Sequence, residues 1–186
     1  MKRQILTPAL SLFLICAITT LLLAVSNQAT KGPIAELEAQ TALEAQQTVL
    51  PSAASFESRT AADGTAYSVG LDSSGQSVGY VFTTSASGYG GLIKVMTGLD
   101  TSGAITGVEL LEISETAGLG MNAQRESFRN QFVGLSGSVQ VTKSAAGEGE
   151  ITALTGATIT SRAVANAVNQ ALALYQSEIG GVSHGE

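Results

Sequence analysis

Between Arg3 and Lys31 no side chain carries a charge, and residues 5–25 form an almost unbroken apolar run. These twenty-one residues would rise about 31 Å as a helix, close to the hydrocarbon thickness of a bilayer. A chain with such a run divides into a part that spans a membrane and a part that folds in water, and every later reading has to respect that division. Lys2 and Arg3 ahead of the run favour a cytoplasmic N-terminus, which places the remainder on the opposite side of the cytoplasmic membrane. The competing reading is a cleaved signal peptide with Ala24-Val25-Ser26 as its small-residue site. The run is longer than a usual signal core, which favours a retained single-pass anchor in contact with lipid.

At 186 residues the chain has room for one domain with appendages. Lys2, Arg3 and Lys31 are the only charges up to Pro33, so the rest sets six basic against fifteen acidic side chains, a formal −9. That sign argues against nucleic acid as a partner, because neutralising phosphate needs the opposite charge. Cys16 is the single cysteine, and the single histidine, His184, falls in the expected tail. One thiol supports no internal disulfide, iron–sulfur cluster or structural zinc site, so any redox chemistry needs an added cofactor. A Ser-His-Asp hydrolase would have to draw its base from that tail, and neither a catalytic residue nor a metal ligand is assigned.

Residues 26–33 read as a polar linker completing the anchor unit 1–33. Residues 34–50 carry good helix formers and stop before Pro51, giving a connecting segment 34–55. From 56 the period changes. Tyr67, Val69 and Leu71 alternate, Asp72-Ser73-Ser74-Gly75 is a turn cluster, and Val78, Tyr80 and Phe82 alternate again. The arrangement recurs with Ile93 and Val95, the turn Asp100-Thr101-Ser102-Gly103, and Ile105, Val108, Leu110 and Ile113. Two hairpins predict an antiparallel sheet with a buried face. Residues 123–133 are expected as a helix with Phe128 and Phe132 inward and Arg125, Glu126 and Arg129 wet. Residues 139–142 are expected as a strand. Residues 161–175 show helical spacing of Val164, Ala167, Val168, Ala171, Leu172 and Tyr175, with Arg162, Asn166, Asn169 and Gln170 towards water. The expected class is therefore α+β: an antiparallel sheet with flanking helices over 56–180, one transmembrane helix before it and a tail 181–186.

Residues 154–162, LTGATITSR, form the segment with the clearest chemistry. Thr155, Thr158 and Thr160 offer hydroxyls, Gly156 and Ala157 keep bulk off the backbone, and the helix start that follows leaves amides without internal partners. Such a start holds an anion, and Arg162 adds a mobile cation. An ordinary N-cap is the plainer alternative. Two other stretches are rich in glycine: Ser87-Gly88-Tyr89-Gly90-Gly91 between the hairpins, and SETAGLGMN over 114–122. The first allows close backbone approach with Tyr89 available to pack on a flat ring, and the second suits a loop whose amides face a ligand; each is also readable as a plain connection.

TGATITSRAV resembles the flavinylation motif of the FMN-binding domain family, in which the last threonine of S/T-G-A-T carries FMN through a phosphoester; here that is Thr158. The Gly-Tyr-Gly-Gly run, Gln131-Phe132 and a segment similar to E-T-P-G-L-G occur in the family's order. Ala117 replaces the proline of that segment, removing a fixed φ and loosening the loop, and Thr152 stands where the family usually has an acidic residue. The resemblance implies covalent FMN, with Tyr89, Gly90, Glu115, Thr116, Leu119 and Gly120 near the ring. It further implies a flavin-transferring enzyme for maturation and, as partners, other subunits of a membrane redox complex. The implied role is an electron carrier within an ion-pumping ferredoxin:NAD⁺ oxidoreductase. A component of a sodium-pumping NADH:quinone reductase, or an unflavinylated extracytoplasmic binding module, is the alternative.

Overall fold

The structure, a computed structural model, describes residues 2–180. His184 and the rest of the expected tail lie outside the described residues. The chain divides into two compact units, Met1–Thr41 and Ala42–Glu186.

Helix α1 is continuous from Lys2–Val49, so residues 26–33 are helical where a linker was expected. Pro33 removes one N–H and frees one carbonyl, that of Ala29, which is exposed and open to water. Thr30 adds a local bond, its hydroxyl donating to the Ser26 carbonyl at 3.0 Å. Extending a helix already formed on both sides costs little compared with starting a new one. The stretch Pro8–Val49 is long and apolar enough to cross a membrane.

In the second unit, β1 (Ser55–Thr60), β2 (Ala66–Leu71), β3 (Ser77–Ser87), β4 (Leu92–Asp100) and β5 (Ile105–Glu112) form an antiparallel meander in sequence order. The two expected hairpins are β2–β3 and β4–β5, and they are built alike. In one, Asp72 Oδ1 accepts the Ser74 and Gln76 N–H groups at 2.8 and 2.9 Å; in the other, Asp100 Oδ1 accepts those of Ser102 and Ala104 at 2.8 and 3.0 Å. Each has a register break one residue before its aspartate, at Gly70/Leu71 and Gly98/Leu99. β1 is a further strand that alternation had not separated, because its face is almost wholly exposed.

Helix α3 (Thr158–Tyr175) covers one sheet face. Its Val164, Ala167, Val168, Ala171 and Leu172 pack in one cluster with Phe82, Ile93, Val95, Leu99 and Val108. Small side chains along the helix bring it close to the strands. The opposite cluster holds Ala45, Val49, Leu50 and Ala53 against Val81 and Met96. The end of α1 fits there because two cross-strand pairs, Gly70 with Gly79 and Gly98 with Gly107, leave the sheet bare. A Cβ on Gly107 would lie 2.8 Å from Val49 Cα, and one on Gly98 would overlap the Val49 carbonyl oxygen. Thr106 Oγ1 donates a short hydrogen bond to that same carbonyl.

Residues 123–133 do not form one helix. A 3-10 turn Gly120–Gln124, α2 (Glu126–Arg129) and a second 3-10 turn Asn130–Phe132 follow one another, broken at Arg125, whose ψ of 137° is extended. Phe128 and Phe132 are buried edge to face as expected. Arg129 is not wet: only 18% of its side chain is exposed, it pairs with Glu109, and its Nη1 donates to the Val108 carbonyl. Strands β6 (Gln140–Thr142) and β7 (Glu150–Thr152) form a parallel pair. Asn169, expected towards water, turns to that pair: its Oδ1 accepts the Val139 N–H at 2.8 Å and its Nδ2 donates to the Val139 carbonyl at 2.9 Å.

Candidate functional site

The approach to α3 is folded by its own side chains. Gln131 treats Thr152 as a strand would, accepting its N–H at 2.7 Å and donating to its carbonyl at 3.4 Å. Ser161, buried in the first turn of α3, accepts the Leu154 N–H and donates to the Ala157 carbonyl, both at 3.0 Å. Between them Gly156 takes a φ of +75°, a conformation that favours glycine. Thr158 is thereby held at the first helical position, half-buried.

The helix start has no side-chain cap, and the first amide to find a carbonyl is that of Ser161, bonded to Ala157. The N–H groups of Thr158, Ile159 and Thr160 thus lack a helical acceptor, the arrangement that receives an anion. An ordinary N-cap would have used a side chain here, so that alternative is not what the fold contains. Among the described residues no partner occupies the Thr158 hydroxyl.

This start opens into a cleft of about 590 Å³, within the usual range for a small-molecule site. α3 and its approach contribute Gly156, Ala157, Thr158, Ile159 and Thr160 to the walls; the β3–β4 loop contributes Tyr89, and the loop after β5 contributes Glu115, Thr116, Leu119 and Gly120. The two glycine-rich loops and the TGAT segment, distant in sequence, meet here. Tyr89 is 74% exposed, with Leu119 and Ile159 also open to solvent, so the cleft's mouth is apolar. Large apolar groups left open around a concave site offer stacking and packing to a flat ligand.

Not every residue singled out lines the cleft. Thr155 and Arg162 are exposed and outside its walls. Gly90 is also outside, yet its N–H donates to Glu115 Oε1 at 3.1 Å. Thr160 is buried, with its hydroxyl donating to Glu115 Oε2 at 3.0 Å. The Ala117 loop is closed without proline: Leu119 and Met121 N–H groups both bond the Thr116 carbonyl, and Asn122 Nδ2 donates to the Gly118 carbonyl. Thr152 Oγ1 donates to the Ser144 carbonyl and Glu150 Oε2 accepts the Gly147 N–H, and neither residue lines the cleft. Ser161, Gln131 and Ile159 were not singled out by function. Ser161 and Ile159 lie inside the TITS motif, whereas Gln131 offered only its place beside Phe132.

Known proteins resemble the chain over the region that carries this cleft. The model of the FMN-binding domain matches residues 88–173, from the first glycine of the β3–β4 loop to the last turn of α3. The chain is 39% identical to the G subunit of the Na(+)-translocating ferredoxin:NAD(+) oxidoreductase complex of Acetobacterium woodii, over 90% of each chain. It is 33% identical to the G subunit of the ion-translocating oxidoreductase complex of Methanosarcina acetivorans, over 96% of this chain and 98% of that one. Among solved structures it resembles Shewanella oneidensis NqrC, at 19% identity and a TM-score of 0.55, over 67% of this chain and 68% of that one. It also resembles the C subunit of the Na(+)-translocating NADH-quinone reductase of Parabacteroides distasonis, at 26% identity and a TM-score of 0.52, over 65% of each chain. The two glycine loops, the bare helix start and these likenesses agree, and the chain belongs to the FMN-binding domain family, among the G subunits of ion-translocating oxidoreductase complexes.

Proposed function

We propose that this chain is an electron-transfer subunit that carries FMN on Thr158 Oγ1 through a phosphoester bond and relays electrons inside an ion-pumping ferredoxin:NAD⁺ oxidoreductase. The observation that carries the reading is the half-buried Thr158, its hydroxyl without a partner, at an uncapped helix start that opens into the cleft. The Acetobacterium woodii and Methanosarcina acetivorans relatives are 39% and 33% identical over 90% or more of both chains, whereas the NADH-quinone reductase neighbour from Parabacteroides distasonis is 26% identical over 65%, which favours the first kind of complex.

The residues present fit FMN. Free amides of Thr158, Ile159 and Thr160 suit a phosphate, Gly156 admits one without a side chain in the way, and Tyr89, Leu119 and Ile159 offer apolar surface to a ring. Thr155 and Arg162, exposed beside the same turn, would be further groups to hold the phosphate. Bound flavin would supply reversible stepwise one-electron chemistry. The protein orients it, shields one side of it and sets the local charge. Thr158 takes no part in turnover; in the one attachment step a flavin dinucleotide donor would pass its FMN phosphoryl to Oγ1, the phosphoanhydride breaking to release a nucleoside monophosphate and the hydroxyl proton going to solvent. The acidic remainder of the chain repels a free anionic flavin, and a covalent bond retains it.

In this reading α1 anchors the chain in the cytoplasmic membrane with its N-terminus inside and the FMN domain outside, where a flavin-transferring enzyme modifies it and the other subunits of the complex dock. Thr158→Ala, produced beside a flavin-transferring enzyme, is expected to lose in-gel flavin fluorescence and the mass of FMN less one water. Retention of covalent flavin in that variant overturns the assignment.

A further inference from the structure

Glu115 is the single charged side chain among the residues that line the cleft, and the protein uses both of its oxygens. Oε1 accepts the N–H groups of Tyr89 at 2.7 Å and Gly90 at 3.1 Å, and Oε2 accepts the Thr160 hydroxyl at 3.0 Å. The donors belong to two segments, one about 25 residues earlier in the chain and one 45 residues later. Two glycines leave the space this carboxylate fills. A Cβ on Gly120 would stand 2.7 Å from both Glu115 Oε2 and Thr160 Oγ1, and one on Gly88 would overlap Oε1 and stand 2.8 Å from Ile93 Cδ1. The loop carrying Tyr89 has one cross-loop backbone bond, from Gly88 N–H to the Gly91 carbonyl. Without Glu115 the Tyr89 and Gly90 amides would have only solvent.

We infer that Glu115 is a positioning residue: it ties the β3–β4 loop to the start of α3, sets the distance between Tyr89 and Thr160, and holds negative charge at the cleft wall that lowers the reduction potential of a flavin bound there. Hydrogen bonds to a charged acceptor are about twice as strong as neutral ones, and here one acceptor joins three donors. The protein takes three of the roughly four acceptor sites of this carboxylate, so Glu115 acts chiefly through Tyr89 and Thr160. Its charge still acts through space, disfavouring the added negative charge of a reduced flavin. This rests on the FMN reading above for the potential, and on the fold alone for the loop.

The two parts are separable in one series on the full chain in detergent. Produced without a flavin-transferring enzyme, Glu115→Ala is expected to speed amide exchange in residues 88–91 by on the order of tenfold or more, with the centres of β3 and β4 unchanged. Thr160→Val, nearly isosteric, tests the same tie should Glu115→Ala fail to fold, with a smaller acceleration in the same loop. Glu115→Gln keeps one carbonyl acceptor for the loop amides and is expected to restore most of the protection. Produced with the transferring enzyme, Glu115→Gln is expected to load flavin and show a higher midpoint potential than the unaltered protein. Exchange in 88–91 that is unchanged by Glu115→Ala, or by Thr160→Val where the former does not fold, overturns the positioning role. A loaded Glu115→Gln with unchanged potential overturns the electrostatic role. Absence of flavin from the unaltered protein overturns the FMN reading and leaves the exchange result to decide the loop.

Discussion

Gly98→Ala tests how the end of α1 is held on the sheet. By propensity alone the change should help, since glycine inside a strand is worse than alanine by about 0.5–1 kcal/mol. The structure says the reverse. The new Cβ would overlap the Val49 carbonyl and lie 2.7 Å from Thr106 Oγ1, so backbone has to move away from backbone. That displacement breaks the bond from Thr106 to Val49, worth about 1 kcal/mol. It also lifts Val49 and Leu50, both fully buried, whose complete exposure would cost about 1.5–3 kcal/mol each. With half of that burial lost, the total comes to about 3 kcal/mol, a fall in melting temperature of about 6–12 °C for a unit of this size. Calorimetry of the full chain in micelles reads it directly. Thr106→Val alone should cost about 1 kcal/mol and add almost nothing in the Gly98→Ala background, because its bond is already gone. A Gly98→Ala chain as stable as the unaltered one, or fully additive with Thr106→Val, would refute this account of the packing.

Two further outcomes follow from the structure. Ser161→Ala removes both bonds that fold residues 154–157 onto α3, so it should destabilise the domain by about 1–3 kcal/mol and slow flavin attachment at an intact Thr158, measured as fluorescence gained per unit time beside the transferring enzyme. Acid should weaken both hairpins. At Asp72 the bonds from Ser74 and Gln76 hold the carboxyl below its ordinary value; at Asp100 partial burial pushes it up, but the bonds from Ser102 and Ala104 outweigh this and leave it lowered. A depressed carboxylate contributes stability that is complete above its unfolded value, near 3.8, and is lost as pH falls through the folded one. Denaturation midpoints should therefore drop below about pH 4, and Asp72→Asn with Asp100→Asn should flatten that dependence.

Much of the fold was legible because its determinants are local. Alternation over 67–71 and 78–82, the paired Asp-x-Ser-Gly turns and the apolar stripe from Val164 to Tyr175 each appear in the structure as read. What failed depends on partners that sequence does not reveal. Arg129 and Asn169 look like surface residues until Glu109 and Val139 are placed beside them. Residues 26–33 look like a linker because proline and glycine usually end helices, yet on an exposed helix the freed carbonyl loses little. The site was legible as three motifs, and the cleft does unite them. That Thr155 and Arg162 stay outside it, and that Glu115 is used within the protein, depends on contacts between segments far apart in sequence, such as those of Glu115 with Tyr89, Gly90 and Thr160.

The side-chain amides of Gln131 and Asn169 have a consequence beyond packing. Each stands where a third strand would lie beside β6 and β7, giving and taking one bond at a single residue, and strands three residues long have too short a ladder to persist without such support. Exchanging either amide for its carboxylate alters one atom and almost no volume. Even so, it sets a negative oxygen against a carbonyl where a donor had been, 2.9 Å away at Asn169. Mild chemical damage is therefore poorly tolerated at two places outside the cleft: loss of a single ammonia at Gln131 would fray the strand that leads to Thr158, and at Asn169 the strand paired with it, while most of the fold remained intact.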